Sequence, residues 1–234
     1  MWTTPVTKIL TCSFVLLQIL GSVLQHSYST QSLPPQFGGH DSMVSYIEGS
    51  LTSWLSNLSP EMRWQNPNGS GQRRGSPASP LRSPHPLSVV TDAKHAASLA
   101  REAGEIYPAY LYIVYNATLI LLHRPYIVGA AGSPAAAQSN TICTGSGRAI
   151  TDIAVTLDMD HCSYVVNRFA LYALLQAGVI HAMNAVYDKR GSEIAMDYYR
   201  RTVRVLEGFL RSPATSGGVA EGIKVRKGLI GDWL

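Results

Sequence analysis

Residues 106–128 read IYPAYLYIVYNATLILLHRPYIV, the longest strongly apolar run in the chain. Its polar members are few: Asn116, Thr118, His123 and Arg124. Tyr107, Leu111, Val114, Thr118, Leu121 and Leu122 recur at spacings of three and four, which places them on one face of a helix. Ile113, Tyr115, Ala117 and Ile120 make the opposite side apolar as well. A helix that is apolar all round belongs in the centre of a bundle or in a membrane. A bilayer takes about 20 consecutive apolar residues. The stretch over 106–122 is shorter and contains Asn116 and several tyrosines, so the buried-helix reading is preferred. Pro108 suits a first helical turn, where its missing N–H costs nothing. Pro125, directly after His123 and Arg124, is expected to end or kink the helix.

Working outward, the chain has 234 residues, enough to bury a sizeable core as one large domain or two small ones. Charged residues make up 15%, against about a quarter in ordinary globular domains, which implies large buried or partner-covered faces. A net charge of +4 is mild and does not argue for nucleic-acid binding. Cys12, Cys143 and Cys162 are far apart and odd in number, so they build neither a disulfide framework nor a C-x-x-C pair.

Helical patterns flank the central run. Residues 6–28 carry Ile9, Leu16, Leu20 and Leu24 at helical spacing, with Val6, Cys12 and Val23 alongside. Lys8 ahead of this run also resembles the start of a signal peptide, although Val23-Leu24-Gln25 is a poor small-residue cleavage site. A Pro/Gly loop over 31–39 precedes the clearest amphipathic pattern: Met43, Tyr46, Ile47, Leu51, Trp54, Leu55 and Leu58, with Asp41 or Ser42 as cap and Ser59-Pro60 as stop. Residues 66–88 are rich in Pro, Ser, Gly and Arg and cannot bury a core of their own. A helix is expected from Thr91 or Asp92 towards Gly104, and a small-residue loop over 129–139. Helices are then expected over 140–157, over 163–187 with Phe169, Tyr172, Leu175, Val179, Met183 and Val186 on a face, and over 193–210 with Ser192 as cap and Arg200, Arg201 and Arg204 facing away. The organisation is N-terminal helices over 1–65, a low-complexity loop over 66–90, the main helical part over 91–211 and a tail over 212–234.

Residues 115–126, YNATLILLHRPY, resemble the YH-x-x-x-I-L-L-H-R-P-F helix in the middle homology region of fungal zinc-cluster (zinc binuclear cluster) transcription factors. Asn116 stands where that family often has histidine. Other phrases follow in the family's order. Residues 23–29 resemble L-x-x-x-Y-S, and 51–64 resemble L-x-x-W-x-x-x-L-P-x-x-L-R-W. Cys143, Ala149, Ile150 and Ile153 resemble C-x-x-A-A-x-x-I, with Gly145 and Gly147 as departures, and 172–181 resemble Y-x-L-x-x-A-G-x-I-H. The resemblance implies an all-α, multi-helix regulatory domain of a nuclear transcription regulator. Its partners would be other transcription proteins or small-molecule effectors. DNA would be read only through a zinc-cluster head, whose six cysteines this chain cannot supply, so zinc and DNA contact are expected to belong to that absent head.

Motifs for catalysis are missing from the sequence. No His-Glu-x-x-His, nucleophile elbow or phosphate loop occurs, and Gly145-Ser146-Gly147 follows no strand pattern. Asp158, Asp160, His161 and Cys162 cluster, but one short loop rarely supplies enough metal ligands, and His181 reads as a satisfied core histidine. The expectation is a non-enzyme without catalytic, cofactor or metal residues, in which His123, Arg124 and Pro125 lock a helix end to its neighbours. Two alternatives stand beside it: a secreted or membrane-anchored helical protein, and a helical small-molecule binder or enzyme.

Overall fold

Six helices carry these patterns in the computed structural model, which describes residues 5–28, 40–64, 106–129, 133–157, 164–187 and 191–211. They are α1 (Pro5–Tyr28), α2 (His40–Ser56), α3 (Tyr107–Gly129), α4 (Pro134–Thr156), α5 (Tyr164–Tyr187) and α6 (Ser192–Arg211), with a short 3-10 turn at Pro60–Met62. Among the described residues there is no strand, and the fold is all-α. The loop over 31–39, the low-complexity stretch, the helix expected after Thr91, the Asp158–Cys162 group and the C-terminal tail lie outside the described residues.

The central run becomes α3, and its two apolar sides serve two cores. Leu111, Val114, Leu121 and Leu122 pack with Ile9, Leu16, Leu20 and Val23 of α1 and with Met43, Ile47, Leu51 and Trp54 of α2. Ala109, Ile113, Ala117 and Ile120 pack with Cys143, Ile150 and Ile153 of α4, Ala170, Ala173, Leu174, Ala177 and Ile180 of α5, and Phe209 of α6. Each fully buried Leu or Ile contributes about 1.5–3 kcal/mol of transfer free energy, which sets α3 as the hub of the fold. Trp54 links the halves of the first core. Its ring stacks on Tyr115 at 5.8 Å and 17°, and its Nε1 donates to the Cys12 carbonyl at 3.0 Å.

Several expectations need correction. Pro125 does not end α3, which continues to Gly129. A proline leaves the carbonyl four residues back without its donor. That carbonyl belongs to Leu121, and the Tyr28 hydroxyl of α1 donates to it at 3.4 Å. The loop expected over 129–139 is also too long, because α4 starts at Pro134. Ser133 is its cap, accepting from the Ala136 N–H at 3.1 Å, and Pro134 fits the first turn.

On α5 the expected face is the outer one. Tyr172, Val179 and Val186 are exposed, while alanines and Leu174, Ile180 and His181 are buried. The alanines let α5 approach its neighbours closely, with Leu174 and Ile180 filling the space between them. On α6, Arg200 and Arg204 are exposed, but Arg201 turns inward and pairs with Asp152 of α4 at 2.7 Å. Ser192 donates to the Ala185 carbonyl at 2.9 Å, pinning the α5–α6 corner rather than capping its own helix.

Only one side of α1 is buried. Leu10 and Phe14 are each 63% exposed and Leu17 is 50% exposed, and Leu24, expected inside, also faces outward. By length and composition alone, α1 and α5 could each cross a membrane. Lys8, read as the positive start of a leader, pairs with Glu61 at 2.8 Å.

Candidate functional site

The three residues singled out in the sequence sit near the end of α3, where it meets α1, α2, α4 and α5. Arg124 lies more than one turn inside the helix, because α3 continues past Pro125, so the helix dipole is not what holds it. Its planar fork is used instead. Nη1 donates to Gln176 Oε1 on α5, and Nη2 donates to the Tyr28 hydroxyl on α1 at 3.1 Å. The guanidinium carbon is 5.8 Å from the Tyr28 ring centroid, within cation–π range. Tyr28 thus receives a bond from Arg124 and gives one to the Leu121 carbonyl that Pro125 leaves open.

His123 faces the other way, towards α2 and α4. It is 3% exposed. Its Nδ1 is 3.3 Å from Ser139 Oγ, and its Nε2 is 3.0 Å from Glu48 Oε1. The second contact is short but off the line of the ring N–H, so Nε2 has no aligned hydrogen bond. Burial pushes the imidazole below its ordinary range, and the Glu48 carboxylate pulls in the opposite direction. In a neutral ring one nitrogen carries the proton. A bare Nε2 lone pair would face carboxylate lone pairs at 3.0 Å, so the proton belongs on Nε2 and the Ser139 hydroxyl donates to Nδ1.

A pocket of about 180 Å³ opens beside this group, between α2 and the start of α4. Val44, Ser45 and Glu48 line one side, Gln138, Ser139 and Ala135 the other, with His123 and Tyr126 from α3. A larger, half-open groove of about 800 Å³ runs between α1 and α2, past Cys12, Val15, Ile19, Tyr46, Gly49 and Trp54; its lining among the described residues contains no charged side chain.

Glu48, His123 and Ser139 have the composition of a hydrolase relay but not its working parts. Ser139 is 6% exposed and lies inside α4. Two nearby N–H groups are already used within the helix start: Ala136 by Ser133 Oγ and Ala137 by the Ser133 carbonyl. No group of three or more metal-ligating side chains occurs among the described residues.

A second polar cluster joins α4, α5 and α6. His181 is buried, its Nε2 is 3.1 Å from Thr151 Oγ1, and that hydroxyl lies 2.9 Å from Thr202 Oγ1. Tyr198 stacks against the His181 ring at 5.3 Å and donates to Asp152 Oδ2 at 3.2 Å. Burial holds His181 down at about 4. This is the satisfied core histidine that the sequence suggested.

Sequence reasoning missed Glu48, Ser139, Tyr28 and Gln176. Glu48 sits on the polar side of the α2 pattern and Ser139 in a stretch read as loop, so neither carried a local signal. No protein-family model matches the chain, and comparison with curated proteins and with solved structures returns no match.

Proposed function

We propose that this chain is the regulatory part of a nuclear transcription regulator of the fungal zinc-cluster type, responding to a partner protein or a small effector, with DNA contact and zinc belonging to a separate head. One observation supports the reading: the segments that carry the family phrases meet around α3. Trp54, from residues 51–64, stacks on Tyr115, and Gln176, from residues 172–181, accepts from Arg124. The test is to fuse the chain to an unrelated DNA-binding domain and read a reporter gene. The expected result is a nuclear fusion whose output changes with Arg124→Ala at conditions where that variant is still folded. A fusion that alters no reporter output, in either direction, counts against the reading.

The exposed apolar side of α1 favours a second reading, a secreted or membrane-anchored helical protein. Cell fractionation of a C-terminally tagged chain separates the two. Membrane recovery resistant to high salt, or loss of the first helix by processing, selects the second.

A further inference from the structure

The outer side of α1 carries a continuous row: Leu10, Phe14, Leu17, Gly21, Leu24 and Tyr28. The steps between them alternate between four and three residues, which is the heptad pattern of a helix that meets a second helix along one narrow seam. All six residues are exposed, Leu24 and Tyr28 the least at 45%. Thr11, Gln18 and Gln25 run along one edge of the row at heptad spacing and are exposed too. From Ile9 to Tyr28, α1 contains no Asp, Glu, Lys or Arg. A free coiled coil of this length would be marginal. Here α1 is already held by its packing on α2 and α3, so a partner meets a helix that is formed.

Gly21 sits inside the row. Glycine weakens a helix interior relative to alanine, and a Cβ there would meet nothing within 4 Å, so no contact inside the described fold requires it. A helix laid against the row does. When the row is paired with an antiparallel copy of itself, Leu17 falls opposite the partner's Gly21, Phe14 opposite the partner's Leu24, and Leu10 opposite the partner's Tyr28. A two-fold axis repeats each contact, so the leucine meets the small residue on both sides. Two identical faces without charge do not repel each other. A helix that lies on a membrane draws instead on Lys or Arg beside its apolar face. Lys8, the one such residue of α1, is engaged by Glu61. We propose that α1 is a homodimerisation helix, through which two copies of this chain pair antiparallel along the row from Leu10 to Tyr28. Six residues per copy make a small interface, below about 1,200 Å² in total, so the dimer forms and dissociates readily. The pairing goes beyond the regulatory reading and does not rest on it.

The experiment is sedimentation velocity of the full chain over a concentration series, with co-sedimentation on phosphatidylcholine–phosphatidylserine vesicles in parallel. The expected result is a reversible monomer–dimer equilibrium with a dissociation constant in the micromolar range. The double variant Phe14→Ser, Leu17→Gln should weaken it about tenfold or more. Val186→Ser, which removes an equally exposed apolar residue from α5, should leave it unchanged. Charge at Gln18 tests the direction of pairing. In the antiparallel dimer the two Gln18 side chains lie near the two-fold axis on the same edge, so Gln18→Glu and Gln18→Lys should each dimerise more weakly than wild type. An equal mixture of the two should recover the wild-type affinity to within about threefold. Phe14, Leu17 and Gln18 are all exposed, so the monomers should keep their helical circular dichroism. Four results overturn the proposal: a monomer throughout the series, association that the Phe14, Leu17 variant does not weaken or that Val186→Ser weakens as much, no recovery in the Gln18 mixture, or vesicle binding in place of the dimer. Association is read without any reporter gene, so failure here is distinct from failure of the regulatory reading.

Discussion

Tyr28 and Pro125 converge on one carbonyl. The proline opens the Leu121 acceptor and the tyrosine fills it, with Arg124 holding the tyrosine in place. Tyr28→Phe should cost about 1 kcal/mol, the net worth of a typical hydrogen bond. Pro125→Ala restores the donor within the helix, so Tyr28→Phe should cost clearly less in that background. A double-mutant cycle by urea unfolding measures the difference, and additive effects would refute the link. Arg124→Ala should cost about 2 kcal/mol, since it removes two hydrogen bonds from a charged donor and the cover over Tyr28. Arg124→Lys should recover only part of this, because lysine lacks the fork. Leu121→Asp buries an unpaired charge and should prevent folding altogether. In sequence, His123-Arg124-Pro125 read as a helix end, because the donor that makes Pro125 tolerable comes from another helix. No spacing rule connects it.

Helix α4 offers a controlled comparison at the level of the element. Gly145 and Gly147 both weaken a helix, by about 1 kcal/mol each relative to alanine. A Cβ at 145 would meet nothing within 4 Å, whereas one at 147 would lie 3.2 Å from His181 Cε1. Gly145→Ala should therefore stabilise by up to about 1 kcal/mol, and Gly147→Ala should gain less or lose stability. Thermal unfolding of the pair decides it, and equal gains would show that His181 yields freely. That histidine also gives the interface a pH dependence. Its ordinary value is 6.5 and its folded value about 4, so the unfolded ring takes up a proton first as the pH falls. Stability from this group is complete above about 6.5 and is lost progressively down to about 4, to an extent of roughly 3 kcal/mol. His181→Gln should flatten that part of the curve of unfolding free energy against pH, and an unchanged slope would contradict the assignment. The pattern of α2 was legible because its buried stripe of Met43, Ile47, Leu51 and Trp54 alternates with polar residues. The orientation of α5 was not, because both sides are apolar: alanines with Leu171, Leu174 and Ile180 face the core, and Tyr172, Val179 and Val186 face outward. Polarity does not separate the two sides there.

At the scale of the whole molecule, the all-α class and the central place of α3 could be read from periodicity, and the pairing of its two faces with two separate cores could not. Which partners take which face depends on contacts distant in sequence. Helix α1 covers one side of α3 and leaves its own far side bare. Phe14→Ser and Leu17→Gln should each change stability by no more than about 0.5 kcal/mol, as surface substitutions do. A large loss of stability on thermal unfolding would mean that this side is covered in the folded protein. The long reach of the Tyr28 bond has a further consequence during synthesis. Tyr28 and Leu121 are 93 positions apart. At about 5–20 residues per second, the ribosome delivers the carbonyl roughly 5–20 s after the hydroxyl that will bond it. For that interval α1 lacks the partners that complete its core on α3, Leu121 and Leu122 among them. The contact between α1 and α3 therefore closes only after the chain beyond Leu121 has been made, and until then the side of α1 that α3 covers is open to solvent.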